Sequence, residues 1–259
     1  SIKDYLELQR SAIYAQWLEL NQMIEVTDQM IRLVEDAEEM PLDKLYQLSL
    51  SSKQLRELRT TWIDKWNFDH QAEQHDQNVQ TMVKYRDYEL ALETVVQLVA
   101  PGASEAGLDI GTGTGNLAHQ CLRMGASMSA VDQSLNMLKQ CRAKYPTIEA
   151  KQGNFLAIPF PENSFDFVVS SYAFHLLNDE QKGLAIMEMK RVLKPYGRIC
   201  IVDLMETHSY NEKDLAIPSD VQLSKVEDLI KLFEDKGYLT KHVQVSPKLH
   251  AILAVPIKG

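Results

Sequence analysis

The sequence predicts an α/β fold: a doubly wound, mostly parallel sheet of seven strands whose last strand runs antiparallel, preceded by a helical extension built on one long helix. Three observations predict it. From about residue 107 onward, apolar strand-like runs alternate with helical periodicities, and right-handed crossovers then leave few arrangements other than a parallel sheet covered on both faces. The last two runs are joined by a turn through Ser246-Pro247-Lys248, too short for a crossover helix, so they form an antiparallel hairpin. Before all of this, Ser1 to Met40 contains neither glycine nor proline and repeats apolar residues at helical spacing.

In chain order, Leu6, Ile13, Trp17, Leu20, Ile24, Ile31 and Val34 recur at three- and four-residue steps as a heptad seam, with polar Arg10 and Thr27 in the same frame. A second stripe, Met23, Val26, Met30 and Leu33, widens the apolar face, so this helix needs a partner: its own chain or a second copy. Asp36, Glu38 and Glu39 oppose the carbonyl-rich helix end and Pro41 forbids continuation, which predicts a break near 37–41. Short helical pieces follow, through Leu42, Leu45, Tyr46 and Leu48, then a serine hinge at Ser49, Ser51 and Ser52, then Leu55, Leu58, Trp62 and Trp66 facing a core. Two helices fill 68–100, and Pro101-Gly102 stops the second. Strands are expected at 107–110, 127–131, 148–152, 165–170, 198–204, 240–245 and 251–255, and helices at 116–124, 135–144, 179–192 and 225–236. The chain thus divides into a helical dimerisation or cap region, 1–65, and a ligand-binding α/β domain, 66–259.

A net charge of -9 surrounds the molecule with a negative field that opposes binding to phosphate backbones, which argues against direct nucleic-acid contact by this chain. Cys121, Cys141 and Cys200 lie far apart without a C-x-x-C pair, so neither a disulfide framework nor a zinc site is indicated, and a reducing cytoplasm fits. No apolar run is long enough to span a bilayer, and the N-terminus lacks the basic-then-apolar layout of a signal peptide.

The chemistry concentrates in Leu108-Asp109-Ile110-Gly111-Thr112-Gly113-Thr114-Gly115, where an apolar strand meets an acid, three alternate glycines and then a helical pattern. Such a loop bends sharply and presents unpaired helix N–H groups to a ligand. About twenty residues on, a second strand ends in Ala130-Val131-Asp132, placing a carboxylate where it can accept from both hydroxyls of a nucleoside ribose.

With Gly153-Asn154-Phe155, the run Phe165 to His175, Leu193-Lys194-Pro195-Tyr196-Gly197-Arg198 and the terminal hairpin, these motifs resemble the class I S-adenosylmethionine-dependent methyltransferases of bacterial small-molecule type, a Rossmann-like fold. The resemblance runs from about Trp66 to the C-terminus. It implies that S-adenosyl-L-methionine is bound, with Gly111 and Gly113 at its methionine part, Asp109 supporting its ammonium and Asp132 on its ribose. Gln133 and Met137 match adenine-pocket positions, although Met137 also suits the core. Asn154 stands where the family more often has aspartate, and Phe155 packs on the ring; Ser170 belongs to the same pocket rim. His75-Asp76 stands in place of Tyr-Asp in a helix that closes over the methionine end, with Tyr85, Arg86 and Tyr88 on the next. Of the groups able to take a proton from an acceptor, Tyr172 and His175 follow the fourth strand at the ligand-binding edge, with His75 as a further candidate.

Residues of about Lys3 to Asp64 also resemble the dimerisation helix and linker of MerR-type transcription regulators, which implies a homodimer. On that resemblance the α/β fold acts either as a methyltransferase for a small molecule or as the non-catalytic ligand sensor of a regulator.

Overall fold

The computed structural model describes residues 2–37, 40–60, 68–81, 85, 87–207 and 223–257, in two compact units, Ser1–Lys65 and Trp66–Gly259. Trp62, Trp66 and Arg86 lie outside the described residues.

The first unit contains α1 (Ile2–Glu35) and α2 (Leu42–Thr60). The break at Pro41 stands, but the serine hinge does not: Ser49, Ser51 and Ser52 are inside one uninterrupted helix. Serine is only mildly unfavourable in a helix, and neighbouring Leu45, Leu48 and Leu55 carry the packing periodicity across it. Met23, Val26 and Met30 of α1 line a hollow together with Tyr46 and Leu50 of α2, so the second apolar stripe is the one that meets α2. The heptad seam is left outside, with Leu6, Ile13, Leu20 and Ile24 each about 60% exposed.

The second unit opens with three helices where two were expected: α3 (Phe68–Gln71), α4 (His75–Thr81) and α5 (Tyr88–Val99). The alternation then runs β1 (Ala106–Ile110), α6 (Asn116–Arg123), β2 (Ser127–Asp132), α7 (Leu135–Lys144), β3 (Glu149–Gln152), β4 (Phe165–Ser171), a 3-10 turn at Phe174–Leu176, α8 (Asp179–Val192) and β5 (Leu193–Glu206). It closes with β6 (Ser224–Lys225), α9 (Val226–Glu234), β7 (Tyr238–Ser246) and β8 (Leu249–Pro256). Sheet order is β3-β2-β1-β4-β5-β8-β7, and β8 is antiparallel to both its neighbours, as the short final turn requires. The strand count corrects the sequence expectation: β6, two residues paired to the end of β5, makes eight. So short a strand carries no periodicity that a sequence reading could detect.

Helices α5, α6 and α7 cover one face of the sheet through Leu92, Val95, Leu117, Cys121, Leu138 and Cys141, all essentially inaccessible. Each such leucine or valine contributes about 1.5–3 kcal/mol by leaving water. Beneath them Gly107 of β1 and Phe167 of β4 are direct cross-strand partners, and a Cβ on Gly107 would sit 2.1 Å from the phenylalanine ring. The ring fills the volume the glycine leaves. Polar caps set the helix starts facing the ligand edge: Ser134 accepts from the Met137 N–H to start α7, and Asn178 with Gln181 forms a capping box on α8.

Candidate functional site

The predicted residues gather at the carboxyl ends of β1, β2 and β4, where the parallel strands stop and ligands bind in folds of this kind. Gly111, Gly113 and Gly115 have φ of 70°, 55° and 88°, the left-handed region that side chains rarely adopt. Gly111 also needs its bareness for space, since a Cβ there would lie 2.5 Å from Cβ of Ala173.

Asp109, just before this loop, is 1% exposed. Its Oδ2 accepts from the Thr112 hydroxyl at 2.6 Å and the Ala118 N–H at 3.2 Å, but its Oδ1 is buried with no partner among the described residues. Burial, reinforced by the charge of Asp132, pushes its carboxyl up to about 7 against the hydrogen bonds from Thr112 and Ala118. A buried acceptor left bare costs about 1–3 kcal/mol, so the fold maintains a place that a positive donor would fill.

Asp132 ends β2 and is held by two amides: Oδ2 accepts from Gly113 N–H and Oδ1 from Ser134 N–H, both at 2.8 Å. The two amides fix the orientation of the carboxylate. Met137 is 2% exposed on α7, and Phe155 is 4% exposed and stands edge-on to Phe174 at 5.6 Å. The Gln133 carbonyl accepts from the Gln152 amide. Asn154 differs from the resemblance in a specific way: its Oδ1 accepts from Leu156 and Ala157 N–H at 2.9 and 3.1 Å, which leaves Nδ2, a donor, as its uncommitted group. Ser170 is fully buried and donates to the Ile110 carbonyl at 2.8 Å, tying β4 to β1 just below the loop.

Helix α4 lies over the glycine loop. The His75 Nε2 is 3.3 Å from where a Cβ on Gly113 would be. Asp76 fastens the helix there, accepting from the Thr114 hydroxyl at 2.6 Å, the Asn116 amide at 3.1 Å and the Lys144 ammonium at 2.6 Å. Burial acts to raise the Asp76 carboxyl, but these three partners outweigh it and hold it below the ordinary range. Farther along, Asp69 of α3 accepts from the Ser134 hydroxyl and the Asn136 N–H.

Tyr85, Tyr88 and Tyr172 form one half-buried cluster, with centroids 5.2 Å apart for Tyr85–Tyr172, 5.6 Å for Tyr88–Tyr172 and 6.0 Å for Tyr85–Tyr88. Tyr172 has φ 51°, and its buried hydroxyl has no partner among the described residues. Burial pushes the Tyr85 phenol up to about 12 and those of Tyr88 and Tyr172 higher still, so all three are neutral hydroxyls. His175, on the 3-10 turn, is gripped twice by Asp203 of β5: its backbone N–H donates to Oδ2 at 2.9 Å and its Nδ1 meets Oδ1 at 2.6 Å. Asp203 is 1% exposed, while the His175 side chain keeps 13% of its surface.

Asp203, Lys144 and Asp69 are the site residues that sequence reasoning missed. Asp203 carried a visible signal, because Ile201-Val202-Asp203 repeats the strand-then-acid pattern of Ala130-Val131-Asp132. Lys144 and Asp69 carried none, since both act through partners 68 and 65 residues away.

The donor set fits S-adenosylmethionine: a bare buried carboxylate for an ammonium, an oriented carboxylate for ribose, and apolar Met137 and Phe155 for a purine. Among the described residues no group of three metal-ligating side chains occurs, and no helix is long and apolar enough to cross a membrane.

Residues 108–197 match the family model described as a methyltransferase domain. The chain is 35% identical over 138 residues to an uncharacterized methyltransferase of Geobacillus sp. strain WCH70, spanning 52% of this chain and 65% of that protein. It is 32% identical over 183 residues to one of Staphylococcus carnosus, spanning 70% and 78%. Among solved structures, a SAM dependent methyltransferase from Aquifex aeolicus superposes with a TM-score of 0.57 at 20% identity, over 70% of this chain and 98% of that one, a likeness of fold. The match spans just under two thirds of the Geobacillus relative but more than three quarters of the Staphylococcus one, and with the loop geometry it settles kinship: the chain belongs to the methyltransferase family.

Proposed function

We propose that the chain moves a methyl group from S-adenosylmethionine to a small-molecule acceptor, with His175 as the group that takes a proton. The Asp109 Oδ1 beside the glycine loop carries this reading, because it is a buried acidic oxygen without a partner among the described residues, at the edge where the fold binds ligands. Bound there, S-adenosylmethionine supplies a methyl group on a positively charged sulfur. The protein's part is alignment and exclusion of water. Asp132 would hold the ribose, Met137 and Phe155 would flank the purine, and Asn154 Nδ2 would donate to a ring nitrogen. Ser170 supports this rim from beneath, and His75 covers the loop from α4. Asp203 fixes the His175 imidazole with Nδ1 inward, which leaves Nε2 for an acceptor.

Calorimetric titration with S-adenosylhomocysteine tests the donor site. Saturable binding is expected, weakened at least about tenfold by Asp132→Ala; no heat at millimolar ligand overturns the reading.

A homodimer through α1 belongs to the same proposal. A 34-residue helix is about 51 Å long at 1.5 Å per residue, and its exposed seam recurs in a heptad frame that a second copy of itself can match. Location in the cytoplasm suits three buried, unpaired thiols, and the charge of -9 favours a small molecule over nucleic acid.

A further inference from the structure

We infer that Asp109 holds a proton in the unliganded protein and gives it up when the ammonium group of S-adenosylmethionine arrives, so that binding of the donor releases a proton and tightens as pH rises. The inference rests on the donor-site reading above and adds a proton switch to it.

The geometry of the carboxyl carries it. Asp109 is the next to last residue of β1 and is 1% exposed. The Thr112 hydroxyl and the Ala118 N–H both donate to Oδ2, while Oδ1 is buried without a partner among the described residues. An ionised carboxyl shares its charge between both oxygens, so half of that charge would lie at a dry atom that meets no hydrogen. Asp132, a second acid, acts on the group and raises the cost of ionising it. A proton on Oδ1 removes both costs and leaves the two bonds to Oδ2 in place. Burial and Asp132 outweigh those bonds and set the carboxyl at about 7, where ordinary changes of pH move it.

The titratable groups around it belong to four elements. Tyr88 of α5, Cys121 of α6 and Cys141 of α7 all feel the charge of Asp109, and burial pushes both thiols up to about 12 and the phenol higher, so these three keep their hydrogens across neutral pH. On α4, Asp76 is held below the ordinary carboxylate range, and His75, an imidazole over the glycine loop, is tested separately.

An ammonium group favours the ionised carboxyl alone, because it brings both a positive charge and N–H donors. The balance is simple: the O–H bond of Asp109 breaks, its proton passes to the buffer, and an ammonium N–H donates to the freed Oδ1. The ligand keeps all its hydrogens, and a neutral acid becomes half of an ion pair. With the carboxyl at about 7, release at pH 7 amounts to about half a proton per ligand, and affinity rises about tenfold from pH 6 to pH 8 and then levels off.

The test is calorimetric titration with S-adenosylhomocysteine in two buffers of different ionisation enthalpy, the difference between them giving the protons released. The matched probe is 5′-methylthioadenosine, which keeps the nucleoside and the thioether and lacks the ammonium. Infrared difference spectra follow the carbonyl stretch of the protonated carboxyl. S-adenosylhomocysteine should release about half a proton at pH 7 and remove that band, and 5′-methylthioadenosine should do neither. Asp109→Asn should show no release, no band to lose and an affinity that is flat from pH 6 to pH 8, whereas His75→Phe should keep the release. Binding of S-adenosylhomocysteine without release at pH 7, equal release by 5′-methylthioadenosine, or release that vanishes in His75→Phe overturns the proposal and leaves the donor site standing. Failure of S-adenosylhomocysteine itself to bind removes the donor site and this proposal with it.

Discussion

Asp109 is a carboxylate surrounded by protein with half of its hydrogen-bonding capacity unused. Its carboxyl rises from the ordinary 3.8 to about 7 in the folded chain, so between those values the folded state holds a proton that the unfolded state has released. Its contribution to stability therefore falls as pH rises through that window and stays lost above it. In the unliganded protein Asp109→Asn should raise the melting temperature by several degrees at pH 8 and change it little at pH 5, while weakening S-adenosylhomocysteine binding at least tenfold. A higher melting temperature at pH 5 than at pH 8 for the variant, relative to wild type, would contradict this. The glycine loop was legible from spacing because three positive φ angles admit little besides glycine, and Asp109 and Asp132 stood out as acids near the ends of the strands beside it. The pairing of His175 with Asp203 was not, because two residues 28 positions apart meet only after β4 and β5 have aligned.

At the scale of elements, α4 is held over the glycine loop chiefly by Asp76 and its three partners rather than by apolar burial, Val79 being its one buried residue. Asp76→Ala should cost about 1–2 kcal/mol, since the carboxylate is partly exposed and only the more sheltered Thr114 and Asn116 lose a partner outright. Amide exchange should accelerate across His75–Thr81 and remain unchanged in α5, whose Leu92, Val95 and Val99 are sealed in the core. The helices and strands of the α/β alternation were readable because each buries one face at its own period. The extra piece β6 and the short helix α3 were not, since two and four residues are too few to repeat a pattern. The serine run misled for a related reason: local preference for a turn yielded to packing along α2.

For the whole molecule, the proposed assembly turns on α1. The stripe Met23, Val26 and Met30 meets α2, while Leu20, Ile24 and Ile31 remain exposed at 59%, 59% and 49%. Replacing Leu20 and Ile24 together by glutamate should convert a dimer to a monomer in sedimentation at micromolar concentration and leave S-adenosylhomocysteine binding unaltered; a wild-type monomer at that concentration would refute the assembly. The sequence showed both stripes, but which of them serves the chain's own fold depends on the course of α2, and no periodicity within α1 encodes that.

Gly107 and Phe167 set a gauge. Because the ring stands in the volume that a side chain at 107 would need, β1 and β4 are keyed by bulk as well as laced by their amides. Asp109 rides two residues beyond that joint and Tyr172 just past the end of the neighbouring strand. The spacing of these two residues is thus fixed deep in the interior rather than by whatever stands at the rim.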